Sequence, residues 1–369
     1  MSDRPHLLST KLRQWPWNGI VLGGITWLLL IVLRGNPLFA EVVYSQGIYA
    51  LLRLIWDYTI GWLPFPLLYV VVPLLLFLLF RSIKNRKKET LTWHIRLRRT
   101  LLGIVGFAGM VLFAFYFSWG FNYLRLPIES QLNMGVDSLS RAALLDEYAL
   151  ATAELLAADS ALGPRIGPIA ESDLPENLEA HLRETERAWL QSQHIPAPGR
   201  PRGRRLFPKG LLMQLGASGI YIPFVAEGHI DAALPPATRP STMAHELGHA
   251  FGFGDEGSCN FLAWITCQQS EYPAVRYSGA LAYWRETANR LGWLDRERVL
   301  QDIEGLPGGI QADLAEIKAI REQYPGFFPQ VSTQIYDEYL QAQGIEEGVL
   351  NYARVIQLVR AWRAKKIPR

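Results

Sequence analysis

Residues 240–254 read PSTMAHELGHAFGFG. Two imidazoles four residues apart, His245 and His249, fall on one face of a helix and can share one metal ion, while Glu246 beside the first can reach a water held by that ion. Pro240-Ser241 starts the helix and Gly252-Phe253-Gly254 stops it one turn after His249. Met243, Ala244, Leu247, Ala250 and Phe251 around the motif suit a packed helix better than two solvated histidines on a surface. Zinc fits this donor set, because three protein ligands leave one position for a water whose pKa falls to near 7.

A third ligand is required. Glu256 follows His249 by seven residues, past a glycine turn that can reverse the chain, and it is the expected third ligand. Asp255 competes as the N-cap of the next helix. Cys259 lies one turn further among apolar neighbours, which favour it as a small core residue. Cys267 is two turns beyond that, roughly 12 Å along a helix, so the two cysteines should not pair. With only these two cysteines there is neither a disulfide framework nor a multi-cysteine zinc module. Among the other histidines, His229 is the one spare candidate, a residue type that at such a position is more often surface.

Upstream, Gly219 to Ala226 (GIYIPFVA) has β-branched and aromatic residues around Pro223, which marks an edge strand able to receive an extended peptide. The proline-, glycine- and arginine-rich stretch 194–209 reads as a solvated connection. Amphipathic helices are expected over 137–162 and 174–193, and further helices over about 255–267, 276–291, 311–323, 331–342 and 348–364, giving a mainly helical α+β domain with a small sheet.

Near the N-terminus the composition changes. The 369 residues are 49% apolar and 19% charged, a depletion of charge that excludes a disordered or nucleic-acid-coating protein. Three apolar runs, about 15–33, 60–80 and 101–119, are long enough to span a bilayer and predict an α-helical anchor with three transmembrane helices over residues 1–119. The stretch 81–99 carries eight basic residues against Glu89, net +7, and Arg4, Lys11 and Arg13 sit at the N-terminus. The positive-inside rule places both in the cytoplasm and residues 120–369, net −6, outside it. The overall charge of +3 is therefore a topology signal and not a nucleic-acid patch.

Gly219-Ile-Tyr-Ile-Pro-Phe224, Glu227, Leu234-Pro-Pro236, Pro240, His245-Glu246-x-x-His249, Gly252-Phe253, Glu256 and Asn260-Phe261-Leu262-Ala263, with Tyr44-Ser45-x-Gly47-Ile48-Tyr49, Trp119-Gly120-x-Asn122-Tyr123, Tyr336-Asp337-x-Tyr339-Leu340 and Gly348-Val349-x-x-Tyr352, resemble an uncharacterised family of bacterial membrane proteins with three N-terminal spans and a zincin-like outer domain. That family looks like a relative of the glutamate-type zinc peptidases. The resemblance implies His245, His249 and Glu256 as metal ligands and Glu246 as general base, with Tyr336 or Tyr352 as transition-state donor. It departs at Ser258, where the family tends to carry a second acidic residue. The expected protein is a zinc metallopeptidase of the bacterial cytoplasmic membrane, anchored in the lipid bilayer and hydrolysing an envelope protein or peptide. The alternative is a non-catalytic zincin-like scaffold that binds a partner.

Overall fold

The computed structural model describes residues 5–86 and 92–366, with side-chain surroundings for 16–84 and 92–366. Arg4, Lys87, Lys88 and Glu89 of the topology signal lie outside the described residues, and of Lys11, Arg13 and Arg86 only the backbone is described. The chain divides into two compact units, one formed by 1–52, 63–125 and 223–225, the other by 53–62, 126–222 and 226–369.

In the first unit, helix Pro5–Arg34 packs along helix Trp93–Ser118. The close approach is made by glycines one turn apart: a Cβ on Gly19 would collide with the backbone of Gly106, and one on Gly23 would lie 2.8 Å from Gly109 Cα. Small residues let two apolar helices bring their backbones together where burial from water provides no drive. Among the described residues, three stretches are long and apolar enough to cross a membrane: Pro16–Arg34, Pro37–Thr59 and Trp93–Ser118. The apolar run at 60–80 is divided. Residues 60–67, with Gly61, Pro64 and Pro66, form turns, and a helix runs Leu68–Arg86 with Leu74 to Phe80 exposed along it. The motif around Tyr44 folds onto the motif around Trp119: Tyr44 OH donates to the carbonyls of Tyr116 and Phe117 at 3.0 and 2.9 Å, its ring packs on Phe121, and Arg125 pairs with Glu41.

The second unit is a helical body with a three-stranded sheet, β1 (Arg202–Leu206), β2 (Gly219–Ile222) and β3 (Glu227–Asp231), in the order β1-β3-β2. β1 runs parallel to β3, Arg202 opposite Glu227, and β2 runs antiparallel to it, Gly219 opposite Ile230. β2 is an edge strand, as its proline predicts, and it stops at Ile222 ahead of Pro223, which has no N–H to give the ladder.

Two of the three strands depart from the expected layout. β1 lies inside the stretch read as a solvated connection, and β3, the central strand, has the polar sequence EGHID and is buried throughout. Both are possible because their charges are met, by each other, by a helix and by backbone N–H groups. Arg204 Nε donates to Glu227 Oε1 at 2.6 Å, Arg202 pairs with Glu179 at 2.5 Å, and Asp231 accepts from the backbone N–H groups of Gly210, Leu212, Met213 and Ala233. Satisfied charges of this kind can be buried where lone ones cannot.

Against the other face of the sheet lies helix Arg239–Ala250, and helices Glu256–Gln268, Pro273–Gly292, Leu178–Ser192, Arg141–Ser160 and Val355–Lys366 complete the core around it. Glycine on the strands permits this contact. A Cβ on Gly228 would stand 2.8 Å from Glu246 Cβ and 3.1 Å from its carbonyl oxygen, and one on Gly219 would stand 2.9 Å from Glu246 Cδ.

Candidate metal centre

The motif helix ends in a backbone reversal that brings the third residue to the first two. Gly252 takes φ +91°, a conformation open to glycine at little cost, and Phe253 N–H closes on Gly248 C=O at 3.1 Å. Asp255 then caps the next helix, its Oδ1 accepting from Ser258 N–H at 2.6 Å and from Ser258 Oγ at 2.7 Å. With Asp255 occupied in this way, Glu256 in the first turn is turned to the imidazoles. The serine at position 258 completes the cap, while the acidic side chain beside the histidines comes from position 256.

The structure brings His245, His249 and Glu256 together as a group able to hold a metal ion. His245 Nε2 lies 3.0 Å from Glu256 Oε2, His249 Nε2 lies 3.1 Å from His245 Nε2, and His249 Nε2 lies 3.4 Å from Glu256 Oε2. Bonds of 2.0–2.1 Å to a tetrahedral ion would separate such ligand atoms by about 3.3 Å. The other ring nitrogens are already engaged: His245 Nδ1 with Asn260 Oδ1 at 2.8 Å and His249 Nδ1 with Phe253 C=O at 2.8 Å. Acceptors at Nδ1 put the proton there and leave both Nε2 lone pairs directed at one point, with a carboxylate oxygen beside them. This donor set fits zinc.

Electrostatics favour the same assignment. Burial alone would raise the Glu256 carboxyl, but His249 and His245 outweigh it and hold the group well below the usual carboxylate range. Tyr336 OH donates to Glu256 Oε1 at 2.5 Å, leaving Oε2 for the imidazole side. Tyr352 OH reaches Tyr336 OH at 3.4 Å, and its ring lies parallel to that of His245 with centroids 6.1 Å apart. Burial and the Glu256 charge keep both phenols protonated, so both are donors. Glu246 belongs to a different environment: it is buried under β2 and β3, its Oε2 has no hydrogen-bond partner among the described residues, and burial pushes its carboxyl up to about 7, against the pull of His245 and His249.

The remaining candidates fall outside the centre. Cys259 Sγ sits 3.3 Å from His249 Nδ1, the far side of that ring from Nε2, and burial pushes its thiol up to about 12. His229 is not a surface residue: it is fully buried in β3, on the sheet face opposite to Gly228 and hence opposite to Glu246, with Nε2 3.4 Å from Glu227 Oε2. Asn260 is the participant that sequence reasoning did not single out. It holds His245 with its oxygen and gives its Nδ2–H to Tyr352 C=O at 3.2 Å. Its position one turn after Glu256, on the same helix face, is the signal that was available.

The chain belongs to the family described as Protein of unknown function (DUF3810), whose model matches residues 44–360 and so takes in both the Tyr44 motif and the centre itself. No curated protein and no solved structure matches the chain.

Proposed function

We propose that this protein is a membrane-anchored zinc metallopeptidase whose catalytic unit lies outside the cytoplasm. The observation that carries the reading is the convergence of His245 Nε2, His249 Nε2 and Glu256 Oε2 within 3.0–3.4 Å of one another, with Glu246, whose Oε2 has no hydrogen-bond partner among the described residues, on the helix of the two histidines. Zinc held there would supply a Lewis acid and a water acidified towards neutral pH. Glu246, with a carboxyl poised near 7, is suited to take a proton from the attacking water and return it to the leaving amine. Tyr352 is a protonated phenol at the edge of the centre and can turn its O–H from Tyr336, 3.4 Å away, to the oxygen on which charge develops, while Tyr336 keeps its own O–H on Glu256. Asn260 and the Phe253 carbonyl hold the imidazoles in the required tautomer. The open edge of β2, one strand from β3, offers backbone groups that can orient an extended peptide.

Orientation follows from charge. The Pro37–Thr59 stretch contains Glu41, Arg53 and Asp57, all buried in ion pairs, which suits a segment that does not cross. Pro16–Arg34, Leu68–Arg86 and Trp93–Ser118 then make three crossings with the basic 81–99 stretch in the cytoplasm, as in a bacterial inner membrane. Three crossings place residues 126–369 on the outer side.

Metal analysis and peptide-library cleavage by the full-length protein test the proposal. One zinc per chain is expected, lost in His249→Ala and kept in Glu246→Gln, with turnover abolished in both. Equal cleavage by Glu246→Gln and the parent would remove Glu246 from the chemistry, and metal retention by His249→Ala would remove the centre.

A further inference from the structure

Helix Pro329–Ala342 touches the candidate centre on one face and leaves an adjoining flank bare. Ser332 and Tyr336, one turn apart, turn inward: Ser332 Cβ lies 3.3 Å from where a Cβ of Gly216 would be, and Tyr336 OH is on Glu256. Phe328, Val331 and Ile335, spaced i, i+3 and i+7, form the neighbouring flank, and each is more than half exposed. The strip continues onto the loop that leads into β2. Phe327 N–H donates to Gln214 C=O at 2.9 Å, and the next residue of that loop, Leu215, is 59% exposed. A row of large apolar side chains without a charge among them, kept out of the core, is the kind of surface that marks an interaction site.

We propose that this strip is the side-chain subsite of the centre and selects extended peptide segments with bulky aliphatic side chains. The inference rests on the peptidase reading above. A peptide is the fitting occupant because the strip is continuous with the centre. Ile335 adjoins the tyrosine that bonds Glu256, and Leu215 lies four residues before Gly219, where the open edge strand begins next to Glu246. An extended chain along that edge can satisfy its backbone on β2 while alternate side chains reach the strip.

The test uses the full-length Glu246→Gln protein in lipid nanodiscs, with empty discs as blank, and two fluorescent octapeptides flanked by lysines, one of Leu, Val and Ala, the other of Ser, Gln and Asn. The apolar peptide should bind on the order of tenfold more tightly. Val331→Ser with Ile335→Ser should remove that preference, and Ile335→Met should keep it. Equal affinity for the two peptides, or a preference unchanged in the double variant, overturns the proposal. Turnover by the parent is read separately. Equal affinity for the two peptides with zinc-dependent cleavage by the parent intact condemns the subsite alone, whereas a preference abolished in the double variant of a protein that shows neither zinc nor turnover condemns the peptidase reading and leaves the strip a peptide-binding surface.

Discussion

Glu246 has a buried carboxyl with an unpartnered oxygen, and burial holds its proton up to about pH 7 from an ordinary 4.5. The sign of the resulting stability effect follows from which state gives up the proton first. Below about pH 4.5 the group is neutral in both folded and unfolded chains, and Glu246→Gln should then match the parent. Between about 4.5 and 7 the unfolded chain releases the proton while the folded one retains it, so the metal-free parent loses about 1.4 kcal/mol for each pH unit. Above about 7 the deficit is constant, at about 3 kcal/mol. Thermal midpoints of metal-free parent and Glu246→Gln across pH 4.5–8 should diverge with rising pH and then run parallel. A difference that stays flat would mean that water reaches the carboxyl.

The contact between sheet and motif helix separates two kinds of glycine. A Cβ on Gly228 would press on the Cβ and backbone oxygen of Glu246, which cannot move without displacing the helix, so Gly228→Ala should lower stability by about 1–3 kcal/mol. A Cβ on Gly219 would meet the far end of the same side chain, which can swing away. Gly219→Ala should therefore melt near the parent temperature yet lose most turnover, because the carboxylate is no longer aimed. Melting curves and peptide turnover on the two variants check the distinction, and parallel losses in both would refute it. The motif helix, the edge strand ended by Pro223 and the Asp255 cap were legible in the sequence, since each is set by residues within four or five positions of one another. β1 and β3 were not. RGRRL and EGHID carry charges whose partners lie elsewhere in the chain, Arg204 with Glu227 and Arg202 with Glu179, so neither segment shows the apolar alternation that announces a strand. The hold of Asn260 on His245 was hidden for the same reason: it is a contact between two helices.

Across the whole molecule, hydropathy marked two of the three candidate spans, Pro16–Arg34 and Trp93–Ser118, and left one part of the second unit unread. Residues 53–62, from the N-terminal third, fold as part of the second unit. Arg53 and Asp57 look like an ordinary i, i+4 pair on a helix, but both side chains are almost wholly buried and their other bonds are made far along the chain. Asp57 Oδ2 accepts from Arg200 N–H at 2.6 Å and from Arg53 Nε at 2.8 Å, and Arg53 donates to Ala226 C=O at 2.8 Å. Gly61 C=O accepts from Arg202 at 2.5 Å and from Arg204 at 3.4 Å. Removing one member of a buried pair strands the other charge and typically costs 3–5 kcal/mol, far more than replacing both members with apolar residues. Asp57→Ala should thus destabilise the second unit by about that amount, and Arg53→Met with Asp57→Leu should recover much of the loss. Limited proteolysis of the full-length variants reads this directly, with new cleavage expected within 126–369 for Asp57→Ala and less for the double variant. The same contacts imply that 126–369 expressed alone, lacking the carbonyl of Gly61 and the carboxylate of Asp57, unfolds at a lower temperature than the same unit in the intact chain. Equal protease resistance of the isolated and intact units would show that the 53–62 segment is dispensable for the fold that carries the candidate centre.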